Sequence, residues 1–101
     1  MNLVFKALAD PTRRRILELL RTREMNAGQL AEHFDLAKPT LSGHFAVLRE
    51  ADLIVAEKTA ATITYRLNLS VLEETLLGFA GALRIGLRTG DAAAPVKGDA
   101  T

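Results

Sequence analysis

The side chains with the most chemical reach in this 101-residue chain are two histidines, His33 and His44, and a run of short polar residues from Lys38 to His44. There is no cysteine, which removes thiolate ligands, nucleophilic thiols and disulfides together. The histidines fall on different predicted helices, and no carboxylate at i±4 spacing joins either of them. A closed transition-metal site needs a fuller ligand set than this. The chain holds no glycine-rich phosphate loop, and Glu73-Glu74 at a helix start complement the helix dipole rather than build a general acid and base. Catalysis, a metal and a cofactor are therefore not expected. Lys38, Thr40 and Ser42 offer a different chemistry: a cation for a phosphate, and hydroxyls that donate to or accept from phosphates and base edges.

The elements that position these residues lie in Asn26–Leu48. Leu30 and Phe34, four apart, mark a short helix, and Leu36 is expected to fill the turn after it. Leu41, Phe45 and Leu48 at i, i+4 and i+7 form the buried stripe of a second helix. Opposite that stripe lie Pro39, Gly43 and Ala46, flanked by Thr40, Ser42 and Val47. This is the pattern of a helix-turn-helix that offers its second helix to a DNA major groove. Residue by residue, a plainer reading competes: Thr40 as a helix-start residue and Ser42 as a small exposed one. For the face as a whole, DNA contact accounts best for a small polar surface. Gly43 implies either a close backbone approach to DNA or a helix that reads few bases and leaves specificity to flanks and shape. His44 borders the buried stripe as a packing and hydrogen-bonding residue, with a phosphate contact through its ring N–H left open.

Around the motif, Asn2–Ala9 reads as a short amphipathic helix with Leu3, Val4, Ala7 and Leu8 on one side. Asp10 is a good N-cap and Pro11 suits the first position of a helix running to about Arg21. Arg13, Arg14 and Arg15 step by roughly 100° per residue, so they cannot share one partner. A solvated face with one structural ion pair is the expectation for at least one of them, and a place near a phosphate is open to another. Thr22–Met25 is a polar connection, and Asn26 with Gln29 forms a capping box. The second motif helix runs from Lys38-Pro39 to about Ala51, where Asp52 ends it. Leu53–Glu57 and Ile63–Leu67 have strand character, and Lys58–Thr62, lacking glycine, predicts a longer, mobile loop. A hairpin at this place makes a winged helix, with Lys58 and Arg66 as the wing's cations. Ser70 with Glu73 predicts a capping box for the last helix, along which Leu72, Leu76, Phe79, Leu83 and Leu87 recur at spacings of four and three. Gly78, Gly81 and Gly86 each cost that helix about 1 kcal/mol relative to alanine, which suggests close helix–helix approach or fraying. Residues 1–88 form one domain, and 89–101 lack periodicity and read as a disordered tail.

Composition sets bounds on these readings. The net charge is only +1, but from Leu36 to Arg49 there is no acidic residue while Lys38, His44 and Arg49 are present. Aromatics make up 5% of the chain, too few for a base-stacking platform. The N-terminus has no secretory pattern, and the apolar stretch Leu76–Leu87 is far short of a membrane span and holds Arg84. A cytoplasmic protein without membrane insertion is expected.

Taken in order, LADPTRRRILELL, AGQLAEHFDLAKPTLSGHFAVLREADLI and the TYRL strand resemble the ArsR family of bacterial winged-helix repressors, and within it the SdpR-type autorepressor branch. The resemblance spans Asn2 to Leu87. It implies a mainly α winged helix-turn-helix with a small β-hairpin, dimerising through its first and last helices, here Leu3, Val4, Leu72, Leu76, Phe79, Leu83 and Leu87. It also implies two reading helices in successive major grooves of an inverted-repeat operator in double-stranded DNA. The matching reading positions are Lys38, Pro39, Thr40, Ser42, Gly43 and His44, with Lys58, Thr59, Thr62 and Thr64 on the wing. Three residues depart from the family pattern. Ala37 stands where a capping serine is common, at a cost of about 1 kcal/mol. Gly43 stands in place of a large polar residue, and Asp52 in place of the glycine before the wing. The cysteine pair of the family's thiophilic-metal sensors is missing, as is the histidine-and-carboxylate set of its zinc sensors. The resemblance thus implies a homodimeric repressor of its own operon without metal sensing, relieved by sequestration or by another protein. The rival is a winged-helix protein-interaction module without specific DNA binding, supported by Gly43 and the near-neutral charge.

Overall fold

A computed structural model describes residues 2–86. In chain order the elements are α1 (Leu3–Leu8), α2 (Pro11–Thr22), β1 (Met25–Asn26), α3 (Ala27–Ala31), α4 (Lys38–Glu50), β2 (Ile54–Thr59), β3 (Thr62–Leu67) and α5 (Leu69–Ala82). Local chemistry explains most of the helix starts. Asn2 Oδ1 accepts from the Val4 and Phe5 amides at 2.7 and 3.3 Å, and Asp10 Oδ2 accepts from the Arg13 amide at 3.1 Å with Pro11 following. The expected box at α3 is formed reciprocally: the Gln29 amide donates to Asn26 Oδ1 at 2.8 Å, and the Asn26 amide to Gln29 Oε1 at 2.9 Å. Ala37 gives α4 no side-chain cap, as its type requires.

Both α4 and α5 end in a Schellman motif built on a residue that is not glycine. Asp52 has φ 61°, its amide bonds to the Arg49 carbonyl at 2.9 Å, and the Leu53 amide bonds to the Leu48 carbonyl at 3.0 Å. At the end of α5, Arg84 has φ 60°, with its amide on the Gly81 carbonyl at 3.1 Å and the Ile85 amide on the Ala80 carbonyl at 2.7 Å. Asp52 therefore keeps the left-handed turn that glycine would make, and aspartate is among the residue types that tolerate it.

Four local expectations are corrected. The wing does not carry a longer loop: β2 and β3 pair antiparallel from Ile54↔Leu67 to Thr59↔Thr62, leaving a two-residue turn at Ala60-Ala61 with Ala60 at φ 55°. Continuous pairing outweighs the cost of placing an alanine in the left-handed region. The hairpin is also part of a three-stranded sheet, order β1-β3-β2, because Met25 pairs with Tyr65 and Asn26 with Thr64. A two-residue strand has no alternation to detect. The Ser70–Glu73 box does not form. Asn68 donates its amide to the Leu53 carbonyl at 2.9 Å, which starts α5 at Leu69, and Ser70 Oγ donates to Asn68 Oδ1 at 3.1 Å. Leu36 does not fill its turn; it is exposed, and partly buried Phe34 packs against the core instead.

The core sits between α2, α4 and the sheet. Ile16, Leu30, Leu48 and Leu53 are its fully buried large side chains, and the Phe45 and Tyr65 rings meet at 4.8 Å between centroids, joining α4 to β3. Val4, expected at a seam between two chains, is corrected here: at 5% exposure it belongs to this core and has no surface left for a second chain. Among the described residues no helix is long and apolar enough to cross a membrane.

Candidate nucleic-acid interface

Burying Leu41, Phe45 and Leu48 turns the opposite side of α4 outward. Lys38, Pro39, Thr40, Ser42 and Gly43 are all exposed there, at the N-terminal half of the helix. Ser42 also lines a cleft of about 430 Å³ between α4 and the wing, whose walls include Asn26, Gly28, Ile63 and Tyr65. A β-carbon placed on Gly43 would meet nothing within 4 Å, so neither packing nor backbone conformation in this chain requires a glycine at that position. The same holds for Gly78 and Gly81, so no close helix–helix approach within the chain explains them.

The wing residues do not form one surface. Side chains alternate along each strand, and paired residues share a face. Lys58 pairs with Ile63 and so lies on the face of Tyr65, toward α4. Thr59, Thr62 and Thr64 lie on the other face, with Glu57 opposite Thr64. Lys58, Thr59 and Thr62 are exposed near the turn; Thr64 is half-buried and faces Asn26 of β1. Lys58 is therefore the wing cation on the α4 side, and Glu57 places a negative charge beside Thr64.

His44 turns away from the exposed group. Its side chain is only 17% exposed, and its Nδ1 lies 3.2 Å from Arg13 Nη1 and 3.9 Å from Asp10 Oδ2. Arg13 continues from there: Nε donates to the Ala7 carbonyl at 2.8 Å and Nη2 to the Lys6 carbonyl at 3.0 Å. Partial burial pushes the Asp10 carboxyl up, but the Arg13 amide, the nearby Arg13 guanidinium and the Thr12 amide together hold it below its usual value. The three arginines do diverge. Arg14 Nη1 donates to the Leu8 carbonyl at 2.7 Å, and Arg15 makes an exposed ion pair with Glu18 at 3.2 Å, the one such pair expected. Arg13's task on the carbonyls of α1 was not legible in the sequence. Its only signal is a position six and seven residues beyond the helix end it caps.

On α1 and α5, Leu3, Leu76, Phe79 and Leu83 are exposed, Phe79 by 50%, while Leu72 is partly buried against the core. Leu87 and the tail 89–101 lie outside the described residues. Two further residues join this patch. Phe5 packs edge-on against Phe79 with ring centroids 5.1 Å apart, and Leu77, further round α5, is exposed as well. The signal for Phe5 was an aromatic next to Lys6 on the side of α1 that its apolar pattern leaves outward.

Comparison with known proteins agrees with this geometry. The family model described as bacterial regulatory protein, arsR family, matches residues 10–55, from the cap of α2 to the first residues of β2. The chain is 46% identical over 76 residues to the transcriptional repressor SdpR of Bacillus subtilis, covering 75% of this chain and 84% of that protein. It is 37% identical over 73 residues to an arsenical resistance operon repressor of Staphylococcus xylosus, covering 72% and 70%. Among solved structures, an ArsR family transcriptional regulator superposes with a TM-score of 0.76 at 29% identity, covering 82% of this chain and 91% of its own. NolR from Sinorhizobium fredii does so at 0.65 and 28% identity, covering 83% and 84%. The two curated relatives are named as repressors and the first of the structures as a transcriptional regulator; none of them is named as an enzyme. With a helix-turn-helix, a wing and two thirds or more of two such repressors covered, this chain belongs to the ArsR family of bacterial transcriptional regulators.

Proposed function

We propose that the protein is a homodimeric repressor that binds an inverted repeat in double-stranded DNA, upstream of its own operon, in the cytoplasm. The observation that carries this is the outward face of α4, where Lys38, Pro39, Thr40, Ser42 and Gly43 are exposed together and free of acidic residues, beside Lys58 of the wing. A cation at the helix start positions a phosphate, and short hydroxyls and a bare backbone let the helix sit deep in a major groove. Dimerisation is supported by the apolar patch shared by α1 and α5, which a monomer would leave in water. Metal sensing has no part in this reading. The chain has no cysteine, and so no thiolate to offer a thiophilic ion. In this reading, relief of repression is the work of a protein partner.

Selection from a pool of randomised duplexes, followed by gel shift of the recovered sequence against competitor DNA, tests the reading. A recovered duplex should outcompete unrelated DNA at moderate salt, and affinity should fall as salt rises because lysines and arginines displace phosphate counterions. Equal binding to specific and unrelated duplexes would refute it and favour a protein-interaction module.

A further inference from the structure

We propose that Arg13 and His44 are positioning residues that set the reading helix α4 against α1, an inference that rests on the dimeric DNA-binding reading above. A guanidinium is a rigid planar fork of donors with no acceptor. Arg13 uses three of its N–H groups in three directions: on Ala7 O at 2.8 Å, on Lys6 O at 3.0 Å and on His44 Nδ1 at 3.2 Å. The first two are carbonyls in the last turn of α1, at the negative end of its dipole; Lys6 O also accepts from the Ala9 amide at 3.2 Å, so Arg13 adds a second donor there. The third contact reaches across 31 residues of sequence to α4. Because the guanidinium can only donate, His44 Nδ1 accepts, and the ring proton sits on Nε2. Asp10 Oδ2, taken by the Arg13 amide at 3.1 Å, stands 3.9 Å from Nδ1 and is too far to compete for it.

What this clasp controls follows from where its ends lie. His44 is one residue from Gly43 and two from Ser42, so fixing its ring fixes the rotation of the outward face about the α4 axis. Buried Leu41, Phe45 and Leu48 hold α4 against the core, and the clasp is the polar tie that adds α1. Helix α1 also carries Phe5, packed on Phe79 of α5 in the apolar patch assigned to the second copy. The clasp therefore stands between the seam of the dimer and its reader. Two reading helices must meet half-sites about one helical turn, roughly 34 Å, apart. A tie between seam and reader determines how strictly that spacing is enforced.

The full chain tests this, with the duplex recovered by wild-type selection and two derivatives that carry one base pair more or less at the centre. Wild type should prefer the original spacing. His44→Ala should bind the original duplex about tenfold more weakly, the loss typical of one charge-assisted hydrogen bond, and should lose a similar factor of spacing preference. The slope of log affinity against log salt should stay unchanged, since no phosphate contact is removed. His44→Asn, whose amide oxygen can accept from Arg13, should recover the spacing preference, and Arg13→Lys, which lacks the fork, should not. Should His44→Ala melt before wild type binds, the Asn and Lys variants decide the matter. Equal weakening at every spacing, or a salt slope smaller by about one, would overturn the proposal in favour of a merely structural role or a direct phosphate contact. A wild type that selects no duplex removes the DNA reading and this proposal with it, whereas a wild type that binds beside variants with intact spacing preference removes the proposal alone.

Discussion

Helices α4 and α5 are similar in length, and both carry an apolar stripe, but only one of them is finished within the chain. In α4 the stripe is covered: Leu41, Phe45 and Leu48 are buried, and what faces outward is polar or small. In α5 only Ala80 is fully buried, while Leu76, Leu77, Phe79 and Leu83 stay exposed. An apolar stripe thus has opposite meanings in the two helices. A covered stripe leaves the other face free to meet a polar partner, and an uncovered one calls for an apolar partner. The first points to DNA and the second to another copy of the chain.

The contrast can be broken from either side. The largest effect is expected from Leu48→Ala, which removes a fully buried side chain from the finished helix. Denaturant unfolding should show a loss of about 2–5 kcal/mol, set by how far the cavity collapses. On the unfinished helix, Phe79→Ser with Leu83→Ser should leave the fold of each chain in place, because both side chains are exposed. Light scattering at micromolar concentration should then report a monomer where wild type is a dimer. A wild-type monomer, or a double variant that still dimerises, would place the seam elsewhere.

Gly43→Ala sharpens the contrast by separating folding from reading. The added methyl meets nothing in the chain, so thermal unfolding should show a gain of about 1 kcal/mol from helix propensity alone. If affinity for the selected duplex falls while stability rises, the helix backbone lies close to the DNA at that point. If affinity holds, Gly43 marks a helix that reads few bases.

The smallest effect concerns Asp10. Its carboxyl ionises more readily folded than unfolded, so it adds stability above its ordinary value of about 3.8, and that contribution fades as pH falls through the lowered folded value. Asp10→Asn keeps a capping side chain but cannot titrate. The variant should lose less stability than wild type between neutral pH and pH 3, by a fraction of a kcal/mol, in parallel urea titrations.

Most of the architecture was legible because it rests on local chemistry and period. Asn26 with Gln29, Asp10 with Pro11, and the Leu41–Phe45–Leu48 stripe each announce themselves within a few residues, and each takes the expected form. What was not legible depends on partners distant in sequence. Strand β1 exists because Tyr65 and Thr64 lie beside Met25 and Asn26, and the tight wing turn exists because pairing continues to Thr59 and Thr62 despite the missing glycine. Val4 and Leu3 are adjacent and equally apolar, yet α1 buries one and exposes the other, which only its docking on the core decides. In the interface, the exposed run at the start of α4 follows from helical period. The division of the wing into two faces needs the register, and the turn of His44 toward Arg13 needs the corner between α1 and α2.

A hydroxyl-radical footprint on the selected duplex examines both helices at once. Two protected half-sites, centred about 10 base pairs apart and related by inverted symmetry, are expected if α5 joins two copies and each α4 enters a major groove. A single protected half-site, or protection that does not follow the inverted repeat, would contradict a dimeric reader of DNA.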